Sequence, residues 1–178
     1  MQSTKLTPQC QLPEIITPSL SGEAIMLSER KNDDSWKLIV VYRGLHCPIC
    51  AKYLSTLHGL KDKLDELKVE TVVVSADPLE KVKEQFEDFD PSFKVGYDLS
   101  IEQMRDLGLY ISSPRSPEET DRPFAEPGLF VVNHKNELHI IDISNAPFSR
   151  PDLNGIVDGI QFIRNPENDY PVRGTYAK

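Results

Sequence analysis

The sequence predicts an α/β fold, a mixed central sheet flanked by helices and preceded by an N-terminal extension. Two observations carry this. From Trp36 onward, short β-branched runs alternate with segments of helical periodicity, the pattern of β-α-β-α units with a parallel core and right-handed crossovers. Late in the chain, two apolar runs flank a polar turn and read as a hairpin, which adds antiparallel strands. At 178 residues without an internal repeat, one domain with a sizeable core is expected. Its expected parts are an extension over residues 1–35, the domain proper over 36–164 and a tail over 165–178.

Residues 1–35 are polar and punctuated by Pro8, Pro13 and Pro18, with residues 23–27 as a short strand or hairpin arm, so this segment should pack on the domain rather than form one. The series proper is then a strand over 37–43, a helix over 48–67, a strand over 69–76 and a helix over 78–89, opened by Asp77 as cap and Pro78 at its first position. Phe93-Lys94-Val95-Gly96 is a short extended piece, and Ser100-Ile101-Glu102-Gln103 is a capping box opening a helix that ends near Gly108. Residues 112–127 form a polar loop with four prolines, long enough to suggest a functional segment. The hairpin spans 128–133 and 137–143, the last amphipathic helix 151–164, and the remainder shows no periodicity.

Composition excludes several classes. A net charge of −8, without a Lys/Arg-rich stripe, argues against nucleic acid as a partner. The first residues lack the apolar core of a secretory signal, and no apolar run is long enough to span a bilayer, so a soluble cytoplasmic protein with no membrane partner is expected. Three cysteines are too few for a disulfide framework.

Two of the three stand in Cys47-Pro48-Ile49-Cys50, where the apolar strand 38–42 hands over to a helix. Ile49, Tyr53, Leu57, Leu60, Leu64 and Leu67 recur at intervals of three and four, one apolar stripe, and Pro48 suits the first helical position because no N–H is needed there. Cys47 is thereby placed at the helix N-terminus, where unpaired N–H groups and the helix dipole favour a thiolate and lower its pKa. Cys50 lies almost one turn further along, within reach of a mixed disulfide or a sulfenic acid on Cys47. Cys47 is the attacking residue and Cys50 the resolving one. His46, next to Cys47, is a candidate to stabilise the thiolate when protonated. Cys10 reads as a partly buried or free residue of the extension, with a second resolving thiol as the alternative.

Other chemistries lack their residues. Zinc needs a second ligand pair, covalent haem needs a histidine where Ala51 stands, and no phosphate-cradling glycine loop is present. No cofactor is expected.

Tyr42-Arg43-Gly44-Leu45-His46-Cys47-Pro48-Ile49-Cys50 resembles the Y-R-G-x-x-C-P-x-C signature of a branch of the alkyl hydroperoxide reductase / thiol-specific antioxidant (peroxiredoxin-like, redoxin) family. Residues 146–153 and 168–174 look like its C-terminal continuation, so that the resemblance covers about residues 12 to 175. It implies a thioredoxin-like fold and a thiol oxidoreductase whose substrate is a peroxide or a disulfide, reset by an external dithiol reductant, with a homodimer as a further possibility. Peroxide reduction stands first and protein disulfide reduction second. A redox sensor or binding protein with little turnover is the reading from a different class. The resemblance also matches Pro127 to a proline that is cis in thioredoxin-like proteins, with Glu126 offering backbone groups to a substrate chain. Departures accompany it. Val40 and Gly44 replace the family's Pro and Thr/Ser before the attacking cysteine, Pro127 stands where a peroxide-polarising Arg would be, and Val41 replaces the buried Asp of thioredoxins. Arg43, Arg122 and Arg150 are the candidates to supply the missing cation.

Overall fold

The structure is a computed structural model and describes residues 5–177; residues 1–4 and 178 of the expected extension and tail lie outside the described residues. A short antiparallel ribbon comes first, β1 (Ile16–Pro18) with β2 (Ala24–Met26). There follow β3 (Trp36–Val41), α1 (Pro48–Gly59), α2 (Lys61–Glu66), β4 (Val69–Val74), α3 (Leu79–Gln85), β5 (Lys94–Gly96) and α4 (Ile101–Asp106). A second ribbon, β6 (Ile111–Ser112) with β7 (Phe124–Ala125), precedes the hairpin β8 (Gly128–Val132) and β9 (Leu138–Ile143), and α5 (Leu153–Arg164) closes the series.

β3 is buried at every position, as a continuous apolar run in a central strand requires. It pairs in parallel with β4 and antiparallel with β8, and the five-stranded sheet runs β5-β4-β3-β8-β9, so the expected mixed sheet is present. Alternation along β3 divides the core. Leu38, Val40 and Tyr42 pack with Leu54, Leu57, Leu64, Val157 and Ile160 of α1, α2 and α5, whereas Ile39 and Val41 pack with Met104, Leu107 and Phe124 on the other face. Leu12, Ile15, Ile25 and Leu27 belong to that second layer.

The N-terminal segment also binds both rims of the sheet. The Gln9 N–H donates to the Leu138 carbonyl (2.9 Å) and the Leu138 N–H to that of Cys10 (2.8 Å), along β9. Further on, the Leu20 N–H donates to the Val95 carbonyl (2.8 Å) and the Tyr97 N–H to that of Pro18 (3.1 Å), along β5.

Several local expectations are corrected. The helix expected over 48–67 is two, α1 and α2, broken at Leu60, whose N–H turns to the Leu57 carbonyl at 3.1 Å. Gly59 is the weakest helix former in the segment after Pro48 at its first position, about 1 kcal/mol worse than alanine, and the break follows it. Ile49 is 40 % exposed; the buried stripe is Cys50, Leu54, Leu57 and Leu64, so Leu57 and Leu64 are buried as expected while Cys50 and Leu54 take the places read for Ile49 and Tyr53. The helix expected over 78–89 spans only Leu79–Gln85, with Pro78 as the cap residue, because the Asp77 carboxylate is engaged elsewhere. The capping box of Ser100 and Gln103 forms as expected. The proline-rich loop 112–127 is closed at its base by the β6–β7 pairing of Ile111 with Ala125 and Ser112 with Phe124. Among the described residues no helix is long and apolar enough to cross a membrane.

Candidate active site at the start of the first long helix

The chain leaves β3 through Tyr42, fully buried, and turns at Gly44, whose φ of +140° is one that side-chain-bearing residues rarely adopt. A Cβ on Gly44 would stand 2.8 Å from both carboxylate oxygens of Asp77. Asp77 is itself buried, and its Oδ2 accepts the Leu45 N–H at 2.7 Å, which ties the loop before the cysteines to the end of β4. This approach accounts for glycine where the family pattern has a hydroxyl residue. Burial raises the Asp77 pKa, and the Leu45 N–H works against that rise.

Cys47 is the cap residue of α1 and Pro48 takes the first helical position. The Cys47 sulfur accepts the Cys50 N–H at 3.2 Å, so one of the unpaired donors of the helix end is spent on it. Its pKa is held well below the ordinary thiol value, first by a hydrogen bond from the Cys50 thiol, then by the Cys50 N–H and by the Arg43 guanidinium, all against the opposing effect of burial. Cys50 is fully buried and moves the other way: its thiol hydrogen is held by the Cys47 sulfur, and burial adds to the rise. The pair is therefore a thiolate at Cys47 and a thiol at Cys50. Both cysteines are free, as is Cys10, which lies exposed with its sulfur 2.9 Å from the Thr7 hydroxyl.

Two arginines serve the two sulfurs. Arg43, beside Cys47, makes an ion pair with Glu126 (Nε to Oε2, 2.9 Å) and stacks its guanidinium 4.9 Å above the Phe124 ring. Arg150 donates from Nη2 to the Cys50 sulfur at 2.9 Å, and is held by the Pro147 carbonyl (3.0 Å) and by the Tyr53 ring, 4.7 Å away. Tyr53 in turn donates to the Pro151 carbonyl at 2.7 Å. Arg122, the third candidate cation, is engaged instead with Asp121, Asp98 and the Ala76 carbonyl.

Glu126 and Pro127 differ from expectation. The Glu126 N–H donates to the Tyr110 carbonyl at 2.8 Å and is unavailable to a substrate chain; its buried carboxylate pairs with Arg43 and accepts the Ser112 hydroxyl at 2.7 Å. The peptide bond before Pro127 is trans, as are all peptide bonds among the described residues. The chain passes from β7 to β8 across Glu126 and Pro127, the Pro127 carbonyl accepting the Ser144 N–H at 2.9 Å, and the lower-energy isomer serves this path.

His46 sits where its charged form is disfavoured. Burial first, and the Arg43 charge next, lower its pKa. It packs edge-on against Phe124, centroids 4.5 Å apart, and neither ring nitrogen has a hydrogen-bond partner among the described residues.

No curated protein matches the sequence. Among solved structures, a cysteine-to-serine variant of peroxiredoxin 6 from Arenicola marina is similar at a TM-score of 0.78 and 16 % identity, over 92 % of this chain and 76 % of that one. A peroxiredoxin-like protein from Aquifex aeolicus is similar at 0.73 and 16 %, over 89 % and 88 %. Peroxidoxin BcpB from Mycobacterium tuberculosis is similar at 0.71 and 16 %, over 90 % and 99 %. These likenesses show the fold. The AhpC/TSA family matches residues 8–141, a span that holds Cys47, Cys50, Arg43 and Glu126 and ends before Arg150, and the chain belongs to the AhpC/TSA family.

Proposed function

We propose that this chain is a thiol-dependent peroxide reductase in which Cys47 attacks and Cys50 resolves. The observation that carries this is the Cys47 sulfur at the start of α1, accepting the Cys50 N–H with Arg43 alongside. In the first step the Cys47 thiolate attacks one peroxide oxygen, the O–O bond breaks, the product leaves as water or an alcohol after taking a proton, and Cys47 becomes a sulfenic acid. In the second, the Cys50 sulfur attacks that sulfenic sulfur, water leaves and an intramolecular disulfide forms. An external dithiol then reduces the disulfide and is itself oxidised to a disulfide. Arg43 supports the first step by holding the thiolate; Arg150 supports the second by favouring the developing thiolate of Cys50.

Three cysteines are too few for a disulfide framework, and the cytoplasm remains part of this proposal. So does the division into an extension over 1–35, a catalytic domain over 36–164 and a tail over 165–178; the homodimer is the assembly to test by sedimentation.

Stopped-flow mixing of the reduced protein with hydrogen peroxide tests the reading. Fast oxidation should vanish in Cys47→Ser and persist in Cys50→Ser, where sulfenic acid accumulates. A rate no higher than that of a free thiol of matched pKa overturns it. A second reading, protein disulfide reduction, is favoured by exposed apolar side chains on the segments that carry the site, Ile49 between the cysteines at 40 % and Phe148 two residues before Arg150 at 80 %. Turnover of insulin disulfides without fast peroxide reaction would select it.

A further inference from the structure

Arg150 is held at the resolving sulfur differently from Arg43 at the attacking one. Arg43, like Arg115, Arg122 and Arg164, has a carboxylate at ion-pair distance. Arg150 has none among the described residues. Its Nε donates to the Pro147 carbonyl (3.0 Å) and its Nη2 to the Cys50 sulfur (2.9 Å), while Nη1 is buried without a hydrogen-bond partner. Asp142 lines the same small cavity as Arg150, but its Oδ1 accepts the Ser144 hydroxyl at 2.8 Å. An aromatic face holds the guanidinium instead: its Cζ lies 4.7 Å from the centre of the Tyr53 ring.

The choice of holder decides how much charge the sulfur meets. A carboxylate fixes a guanidinium and cancels its charge, whereas a ring fixes it through its negative face and leaves the charge in place. Cys50 is fully buried, so little water screens what remains. The helix puts Tyr53 where this is needed, because it follows Cys50 by three residues on α1 and shares its side of the helix. Its hydroxyl donates to the Pro151 carbonyl at 2.7 Å, and Asp152 caps α5 by accepting the Gly155 N–H at 2.8 Å, so the backbone just after Arg150 is fixed twice. Only the ring meets the charge itself.

We propose that Tyr53 is a positioning residue of the resolving step: its ring holds the uncancelled Arg150 charge on Cys50 while that thiol gives up its proton and attacks the Cys47 sulfur. This rests on the reading of Cys50 as the resolving residue, and not on which oxidant Cys47 meets.

The aromatic disulfide DTNB separates the two steps in the full-length Cys10→Ser protein. Cys47 attacks the reagent, one coloured thiolate leaves and a mixed disulfide remains on Cys47. Cys50 then loses its proton and attacks the Cys47 sulfur, the internal disulfide forms and a second coloured thiolate leaves. Tyr53→Leu should slow the second release about fivefold and leave the first within twofold; Tyr53→Phe, which keeps the ring, should restore the second to within twofold. In an Arg150→Ala background, Tyr53→Leu should have no further effect, since the two side chains act as one unit. An unslowed second release in Tyr53→Leu, or a Tyr53→Phe as slow as Tyr53→Leu, overturns the proposal. So does a fivefold effect that survives without Arg150, which would make Tyr53 a packing residue. Should Tyr53→Leu fail to fold, Tyr53→Met takes its place with the same expected rates. A second release that persists in Cys50→Ser overturns the assignment of Cys50 itself, and the role of Tyr53 with it.

Discussion

Arg150 donates from Nη2 to the Cys50 sulfur at 2.9 Å, joining residues 100 positions apart in sequence. A cation on the resolving sulfur, rather than on the attacking one alone, separates the two half-reactions. Arg150→Ala is expected to leave oxidation of Cys47 within about twofold of the unaltered rate, and to lengthen the life of the Cys47 sulfenic acid about tenfold, the equivalent of about 1.4 kcal/mol for a charge-assisted hydrogen bond. Dimedone trapping against time reads that lifetime. An unchanged lifetime would remove Arg150 from the resolving step.

Arg43 acts on the other sulfur. Because the Cys47 pKa is lowered in the folded protein, its thiolate persists as pH falls below the ordinary thiol value and is lost only on passing the lowered one. Alkylation of Cys47 by iodoacetamide should therefore stay fast well below pH 8. Arg43→Gln should move the midpoint up by about one unit, or about 1.4 kcal/mol of thiolate stabilisation. A midpoint that does not move would leave the Cys50 donors as sufficient.

Gly44 and Asp77 form a single contact. Gly44→Ala introduces a Cβ 2.8 Å from the Asp77 carboxylate at a φ of +140°, and should destabilise the fold by about 1–3 kcal/mol. Asp77→Ala removes the acceptor of the Leu45 N–H and is expected to cost about 1–3 kcal/mol as well. The double variant should cost less than the sum of the two, since the clash disappears with the carboxylate. Urea unfolding of the three variants measures this, and strict additivity would contradict it.

Lys37 has a thermodynamic signature. Burial first pushes its pKa down, from 10.5 to about 8. Between these values the unfolded chain binds the proton and the folded chain does not, so the Lys37 penalty is full below about pH 8 and fades as pH rises toward 10.5. Lys37→Met, which keeps the stem and removes the charge, should stabilise the protein by about 1–3 kcal/mol at pH 7, and this gain should shrink by pH 10. Thermal unfolding at the two pH values reads the difference; a gain that stays constant would assign it to packing.

Much of this was legible in the chain itself. The β-branched runs of β3 and β8 are buried throughout and that of β4 at Val69 and Val72–Val74, so their signal is strong and each strand is found, ending before its expected last residue. The Cys47–Cys50 site was legible because a proline and a sulfur at a helix start are local features. Partners distant in sequence were not. Arg150 was one arginine among three candidates, and nothing in its neighbourhood singles out a cysteine 100 residues earlier. Asp77 before Pro78 has the local look of a helix cap; only the fold brings the Leu45 N–H to its carboxylate. Glu126 was marked for its backbone, whereas its side chain meets Arg43. The isomer of Pro127 is set by how β7 continues into β8, which no neighbouring residue specifies.

The N-terminal segment that donates along β9 at Gln9 and along β5 at Leu20 has a bearing on solubility. A parallel-antiparallel sheet of five strands has two open rims, each a template for another chain. One continuous strap occupies both. A chain lacking residues up to Ser21 would lose part of one core layer, and it would also expose two backbone ladders at once, so its failure should take the form of edge-to-edge polymerisation rather than simple unfolding.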